Sequence, residues 1–234
     1  MFSSKIENPL THTFASFHQS LRSVLYFAQM QYPITAVTFS DSAFIATTQL
    51  YEAARIAVEL QQSFLRSRVP VRMGIAHGSF LALRFRSDVT VDGGDHASHF
   101  LGTGVVRSYA AQRCGIKGLR ILVHPSAMLQ LTPTERTDRA PTTKDSILIT
   151  SCTDSEGVNA TEVRHEVNYW TFSPGAEANA WRALQGMWAN APVKEGIHYE
   201  STAAAINRMR IQHGHEPLAD LRRRSLPRKQ RAAV

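Results

Sequence analysis

Tyr32-Pro-Ile-Thr-Ala-Val-Thr-Phe-Ser-Asp-Ser-Ala-Phe-Ile-Ala-Thr47 decides how the chain is read. Two runs rich in β-branched and aromatic residues, Ile34 to Phe39 and Ala43 to Thr47, flank Ser40-Asp41-Ser42. That pattern predicts a tight β-hairpin with one acidic residue at its tip. A carboxylate held there by two strands is rigidly supported, which suits a metal ligand. Asp also favours turns for local reasons, so the neighbouring segments have to decide between the two readings.

Working outward, Phe14, Phe17, Leu21, Leu25 and Ala28 recur at helical spacing before the hairpin. They predict a helix over about 13–30. Gln49 to Arg66 predicts a second helix, with Leu50, Ala54, Ala57 and Leu60 toward the core. Val69 to Phe85 reads as a second hairpin turning near His77-Gly78, and 86–99 as a polar loop. Asp92-Gly-Gly-Asp95 in that loop reads as a solvated turn. Gly102-Thr-Gly104 opens a helix to about Cys114, a weak phosphate signal by itself. Leu119 to Val123 is an expected strand, with a short helix after Pro125. Residues 131–145 read as a loop. Two late strands, 147–150 and 166–172, precede helices over 177–187 and 201–212. Asn159-Ala-Thr161 fits the glycosylation triplet, which matters only in a secreted protein. Paired strands alternating with helices predict an α/β (α+β) sandwich of ferredoxin type, a mixed, mainly antiparallel sheet covered by helices.

The chain has 234 residues and a net charge of +7. From Pro217 onward, six Lys/Arg against Asp220 give +5, so the body before it carries only +2. A near-neutral body does not read as a nucleic-acid-binding domain. The tail has no aromatic residue for base stacking, which leaves nucleic acid as the least favoured partner. Cys114 and Cys152 are too few for a disulfide framework or a zinc site of known spacing. No apolar run is long enough for a membrane-spanning helix, and no signal peptide opens the chain, so a cytoplasmic protein is expected.

Three segments, in order and spacing, resemble the class III nucleotidyl cyclase family. Phe39-Ser-Asp41-Ser-Ala-Phe44 is similar to the family hairpin that holds the second metal aspartate. Val71-Arg-Met-Gly-Ile-Ala-His-Gly78 is similar to the pattern Arg-x-Gly-Ile-His-x-Gly, with the histidine one place later. Phe100-Leu-Gly102-x-x-Val-Val-Arg107-Ser-Tyr-Ala110, followed by Gly118-x-x-Ile-Leu-Val123, resembles the Gly-x-x-Val-Asn-x-Ala helix and the strand after it. The likeness covers residues 1–172. It implies a catalytic domain over 1–195, with a helical extension over 196–216 and a basic, disordered tail over 217–234.

The resemblance also implies roles. Asp41 would be the metal ligand present here, for two Mn²⁺ or Mg²⁺ ions, and the first metal aspartate would fall before Met1. Phe2, Ser3 and Ser4 would end the family's first motif and cradle the β- and γ-phosphates. Val37, and Ser98 or His99, stand where the family selects adenine with a lysine and an aspartate. Neither reproduces the purine code, which favours UTP or CTP over a purine. Arg107 would stabilise the transition state in place of the family asparagine and arginine, and Arg164 would meet phosphate. The site would be shared across a homodimer. In this combination the chain resembles the pyrimidine cyclases of anti-phage Pycsar systems, whose cyclic UMP or cyclic CMP acts on an effector. An inactive cyclase-fold module that binds nucleotide or regulates a partner, and a purine cyclase, are the alternatives.

Five residues near these motifs have plainer readings. Arg72 is expected to pair with an acid on a sheet edge, His77 to form a turn, and Tyr51 to pack. Cys114 and Cys152 are expected to be reduced packing residues.

Overall fold

The computed structural model describes residues 9–39, 41–86, 96–131, 149–152, 163–219 and 221. Among these the chain is mixed α/β, with six helices and eight strands in antiparallel and mixed sheets. It forms two compact units. The first joins Met1–Ile116 to Arg120–Tyr169, and the second joins Lys117–Leu119 to Trp170–Val234. Phe2, Ser3 and Ser4, the Asp92–Asp95 turn, the loop beyond 131, the Asn159 triplet and the arginines of the tail lie outside the described residues.

In the first unit, α1 (Pro9–Gln29) leads into β1 (Thr35–Thr38) and β2 (Ala43–Ala46). The strands pair antiparallel, Val37 opposite Phe44, and Phe39 N–H closes the turn on Ser42 O at 2.8 Å. α2 (Leu50–Arg66) follows. The apolar stripe of α1, Phe17, Leu21, Leu25 and Ala28, is buried against Ile56, Leu60 and Phe64 of α2. Phe17 and Phe64 stack with ring centroids 5.2 Å apart. The expected stripe therefore packs as read except at its first member, Phe14, which is exposed, and burying a large apolar side chain contributes about 1.5–3 kcal/mol.

The carboxylate of Glu52 caps the start of α2. It accepts from the hydroxyls of Thr47 and Thr48 and from Gln49 N–H. These donors hold its pKa below the usual carboxylate value, the Thr47 hydroxyl most of all.

β3 (Met73–Ile75) pairs parallel with β6 (Ile121–Val123), which pairs antiparallel with β8 (His165–Val167), and β8 with β7 (Ile149–Ser151). β6 is wholly buried. Beside it, Arg120 and Glu166 form a fully buried bidentate pair, with N···O distances of 2.6 and 2.7 Å.

Two expectations are corrected here. The strand after His77-Gly78 does not fold back on β3. It is β4 (Leu81–Arg86), and its partner is β5 (His96–Leu101), a segment read from the sequence as loop. His96-Ala-Ser-His99 carries no β-branched residue, so its strand character comes from pairing with β4. In place of one sheet, the described residues form a four-stranded sheet and two separate hairpins. α3 (Thr103–Gln112) and the short α4 (Pro125–Met128) complete this unit. The side chains of Cys114 and Cys152 pack partly buried around Ala111, Ile116 and Leu122, as packing residues would.

In the second unit, α5 (Pro174–Asn190) and α6 (Val193–Gln212) are joined through Pro192. Both begin earlier than expected. Pro174 suits the first turn of a helix because its missing N–H needs no partner there. Arg210 pairs with Glu177, which also accepts from Trp170 Nε1 at 2.7 Å. Asn207 clasps the backbone of Leu218 through both its amide oxygen and its nitrogen. No helix among the described residues is long and apolar enough to cross a membrane.

Candidate functional site

The site is built on the turn between β3 and β4. The backbone N–H and C=O groups of His77 and Ser79 in this turn are all engaged. His77 N–H donates to Ser126 Oγ at 3.1 Å, and Arg107 Nη1 donates to His77 O at 3.0 Å. Ser79 and the start of α3 bond reciprocally: Ser79 N–H to Thr103 Oγ1 at 3.1 Å, and Thr103 N–H to Ser79 Oγ at 3.0 Å. Gly104 N–H donates to Ser79 O at 3.0 Å. The first amides of α3 are therefore spent on clamping the turn, so the Gly102-Thr-Gly104 start is not an open phosphate cradle.

Glycine is required where these backbones meet. A Cβ on Gly78 would stand 2.5 Å from Gly104 N, and one on Gly74 would stand 2.0 Å from Ser108 O. Gly102 also has a φ of +136°, a conformation that side chains oppose. β3, the turn and α3 thus form one closely docked body.

Two clefts flank this body. The larger, about 850 Å³, is bordered by Asp41 and the β2 strand, by Pro70 to Gly78, and by Gly104, Ser108 and Gln112 of α3. Its size is that of a small-molecule site. The smaller, about 390 Å³, is bordered by Ser79, Gly102, Thr103, Val106 and Arg107. Asp41 is exposed at the hairpin tip. Beside that tip, the rings of Phe39 and Phe44 pack 4.9 and 4.7 Å from Phe100, centroid to centroid.

Sequence reading thus places Asp41 and Arg107 correctly on a tip and on a helix, but within one chain they border different clefts. Val37 is buried on β1. His99 lies on β5 in register with Leu83. Arg164 is exposed just before β8, its carbonyl taken by Cys152 N–H, and borders neither cleft. Arg72 finds the Ile116 carbonyl, not the expected acid, and its buried Nε–H has no acceptor among the described residues. Burial pushes its pKa down. Tyr51, expected to pack, is exposed and accepts from Arg55 at 3.2 Å. Reading by motif missed the Ser79–Thr103 clamp. Its only signal in the sequence is the set of glycines at 74, 78, 102 and 104.

Among the described residues no group of three or more His, Cys, Asp or Glu gathers as a metal cage. Asp41 offers a single accessible carboxylate. Mg²⁺-type ions are commonly held by one or two carboxylates together with substrate phosphates and water, so this donor fits part of such a site. Comparison with protein-family models, with curated proteins and with solved structures finds no match to this chain.

Proposed function

We propose that the first unit is a nucleotidyl cyclase of class III type that converts UTP, or CTP, to the 3′,5′-cyclic monophosphate and pyrophosphate. The observation that carries this reading is the placement of Asp41 at the rim of the large cleft, facing the glycine-bound body from which Arg107 projects. The motif order read in the sequence supports it.

In this reaction the ribose 3′-oxygen bonds to the α-phosphorus, the bond from that phosphorus to the bridging oxygen breaks, and pyrophosphate leaves with the electron pair. The 3′-hydroxyl proton passes to solvent. Asp41 would hold a divalent ion, which supplies charge neutralisation at the phosphates. Arg107 is exposed and always charged, and its planar fork suits the phosphoryl oxygens. Its hydrogen bond to the His77 carbonyl holds one terminal nitrogen of the fork.

Because Asp41 and Arg107 border different clefts, the reading assigns each catalytic centre to two copies of the chain. Exposed Leu81, Leu101, Val106 and Tyr109, on the elements around Arg107, suit burial against a second copy. On this reading the protein works in the cytoplasm, and its product signals to a cyclic-nucleotide-responsive effector.

Subunit complementation tests the arrangement. Asp41→Ala and Arg107→Ala should each lose most or all activity, and a mixed dimer should regain it because one of its two centres carries neither change. Subunit exchange without recovered activity overturns the shared centre.

A further inference from the structure

Building on the role proposed for Arg107, we infer that Ser126 is a positioning residue that aims its guanidinium through the backbone of His77, and that His124 fixes Ser126 in turn.

Four groups form an unbroken chain of hydrogen bonds. Arg107 Nη1 donates to His77 O at 3.0 Å, and His77 N–H donates to Ser126 Oγ at 3.1 Å. Ser126 Oγ lies 2.9 Å from His124 Nδ1, and Ser126 N lies 3.1 Å from the same nitrogen. The proton positions follow. A backbone N–H can only donate, so His124 Nδ1 carries no proton and accepts. The Ser126 hydroxyl must then donate to that nitrogen, which leaves its lone pairs for His77 N–H. Every donor points the same way, from Arg107 toward His124, so each bond polarises the next.

The far end of the chain is anchored in the sheet. His124 follows the buried strand β6 directly, and its own N–H donates to Ile75 O of β3 at 2.8 Å. Helices are usually capped by Ser, Thr, Asp or Asn. Here the His124 imidazole caps α4, which leaves the Ser126 hydroxyl to His77. α3 grips the same turn through Ser79 and Thr103. But α3 also carries Arg107, so that grip places the helix and not the guanidinium. The guanidinium is held by the His77 carbonyl. Only the φ and ψ of His77 separate that carbonyl from the N–H that Ser126 holds. His77 borders the large cleft and Arg107 the smaller one, so the chain links the two.

The test compares Ser126→Ala, which removes the acceptor for His77 N–H, with Ser126→Thr, which keeps a hydroxyl there. Nitrogen NMR of arginine-labelled full-length protein reads the rotation of the Arg107 guanidinium, identified by its loss in Arg107→Ala. Rotation should be slow in the native chain and in Ser126→Thr, and fast in Ser126→Ala. In Ser126→Ala kcat should fall about 10- to 100-fold with KM little changed, and Ser126→Thr should restore it. Arg107→Ala/Ser126→Ala should be no slower than Arg107→Ala alone. In the native chain, in mildly alkaline buffer, His124 should carry its ring proton on Nε2. Slow rotation that survives Ser126→Ala overturns the role of Ser126, as does a further loss of kcat in the double variant. A proton on His124 Nδ1 overturns the role of His124. The spectra need no turnover. If the native chain forms no cyclic product, the cyclase reading falls, and the rotation of Arg107 still decides whether Ser126 holds it.

Discussion

Arg107, exposed on α3, donates to the carbonyl of His77 at 3.0 Å, tying the helix to a turn thirty positions earlier in the chain. One hydrogen bond to an exposed turn contributes little to stability, about 1 kcal/mol. A transition-state contact is worth far more to rate. Arg107→Ala is therefore expected to lower kcat by roughly 100- to 1,000-fold while Tm shifts by only about 2–4 °C. Thermal melts beside steady-state kinetics check this. A large fall in Tm with proportionate loss of activity would make Arg107 structural.

Gly74 tests the docking of β3 on α3. A Cβ there would meet Ser108 O at 2.0 Å and Gln112 N at 3.0 Å, both backbone atoms that cannot swing aside. Gly74→Ala should destabilise the protein by about 1–3 kcal/mol or more. Gly186→Ala, in mid α5 with nothing within 4 Å of the new methyl, should instead stabilise by about 0.5–1 kcal/mol. Urea unfolding of both variants reads the contrast, and equal midpoints would contradict the close approach.

The buried Arg120–Glu166 pair should behave asymmetrically. Arg120→Met strands a carboxylate in the core and is expected to cost about 3–5 kcal/mol. Replacing both partners together with apolar residues should recover most of that loss. A double change as harmful as the single one would point to a role beyond charge pairing.

Glu52 gives a pH signature with a definite sign. Its carboxyl pKa is lowered in the folded state by donors from Thr47, Thr48 and Gln49. Its stabilisation is thus complete above the unfolded value and fades as pH falls through the lower folded value. Glu52→Gln should lower stability by about 1 kcal/mol at pH 7, the worth of a lost helix cap. The gap to the native chain should close in acid. A gap that stays constant from pH 7 to pH 3 would mean the charge plays no part.

Much of this was legible in the chain because periodicity carries it. The α1 stripe through Phe17, Leu21 and Leu25 is a local pattern, as are the β-branched runs around Asp41. What failed depended on partners distant in sequence. His96 to Leu101 becomes a strand only beside β4, and Ser79 commits its turn to α3 through Thr103, twenty-four residues on. Arg120 and Glu166, forty-six apart, advertise nothing locally. For the candidate site, residue type and motif order brought out Asp41 and Arg107. They could not tell that the two border different clefts.

The most direct test of the cyclase reading is product identification. The natural full-length protein is incubated with each of the four nucleoside triphosphates and Mn²⁺, and the products are resolved by mass spectrometry. The account predicts cyclic UMP or cyclic CMP with stoichiometric pyrophosphate, lost in Asp41→Ala. Cyclic AMP or cyclic GMP as the main product would contradict the pyrimidine assignment, and no cyclic product from any of the four would contradict the cyclase itself.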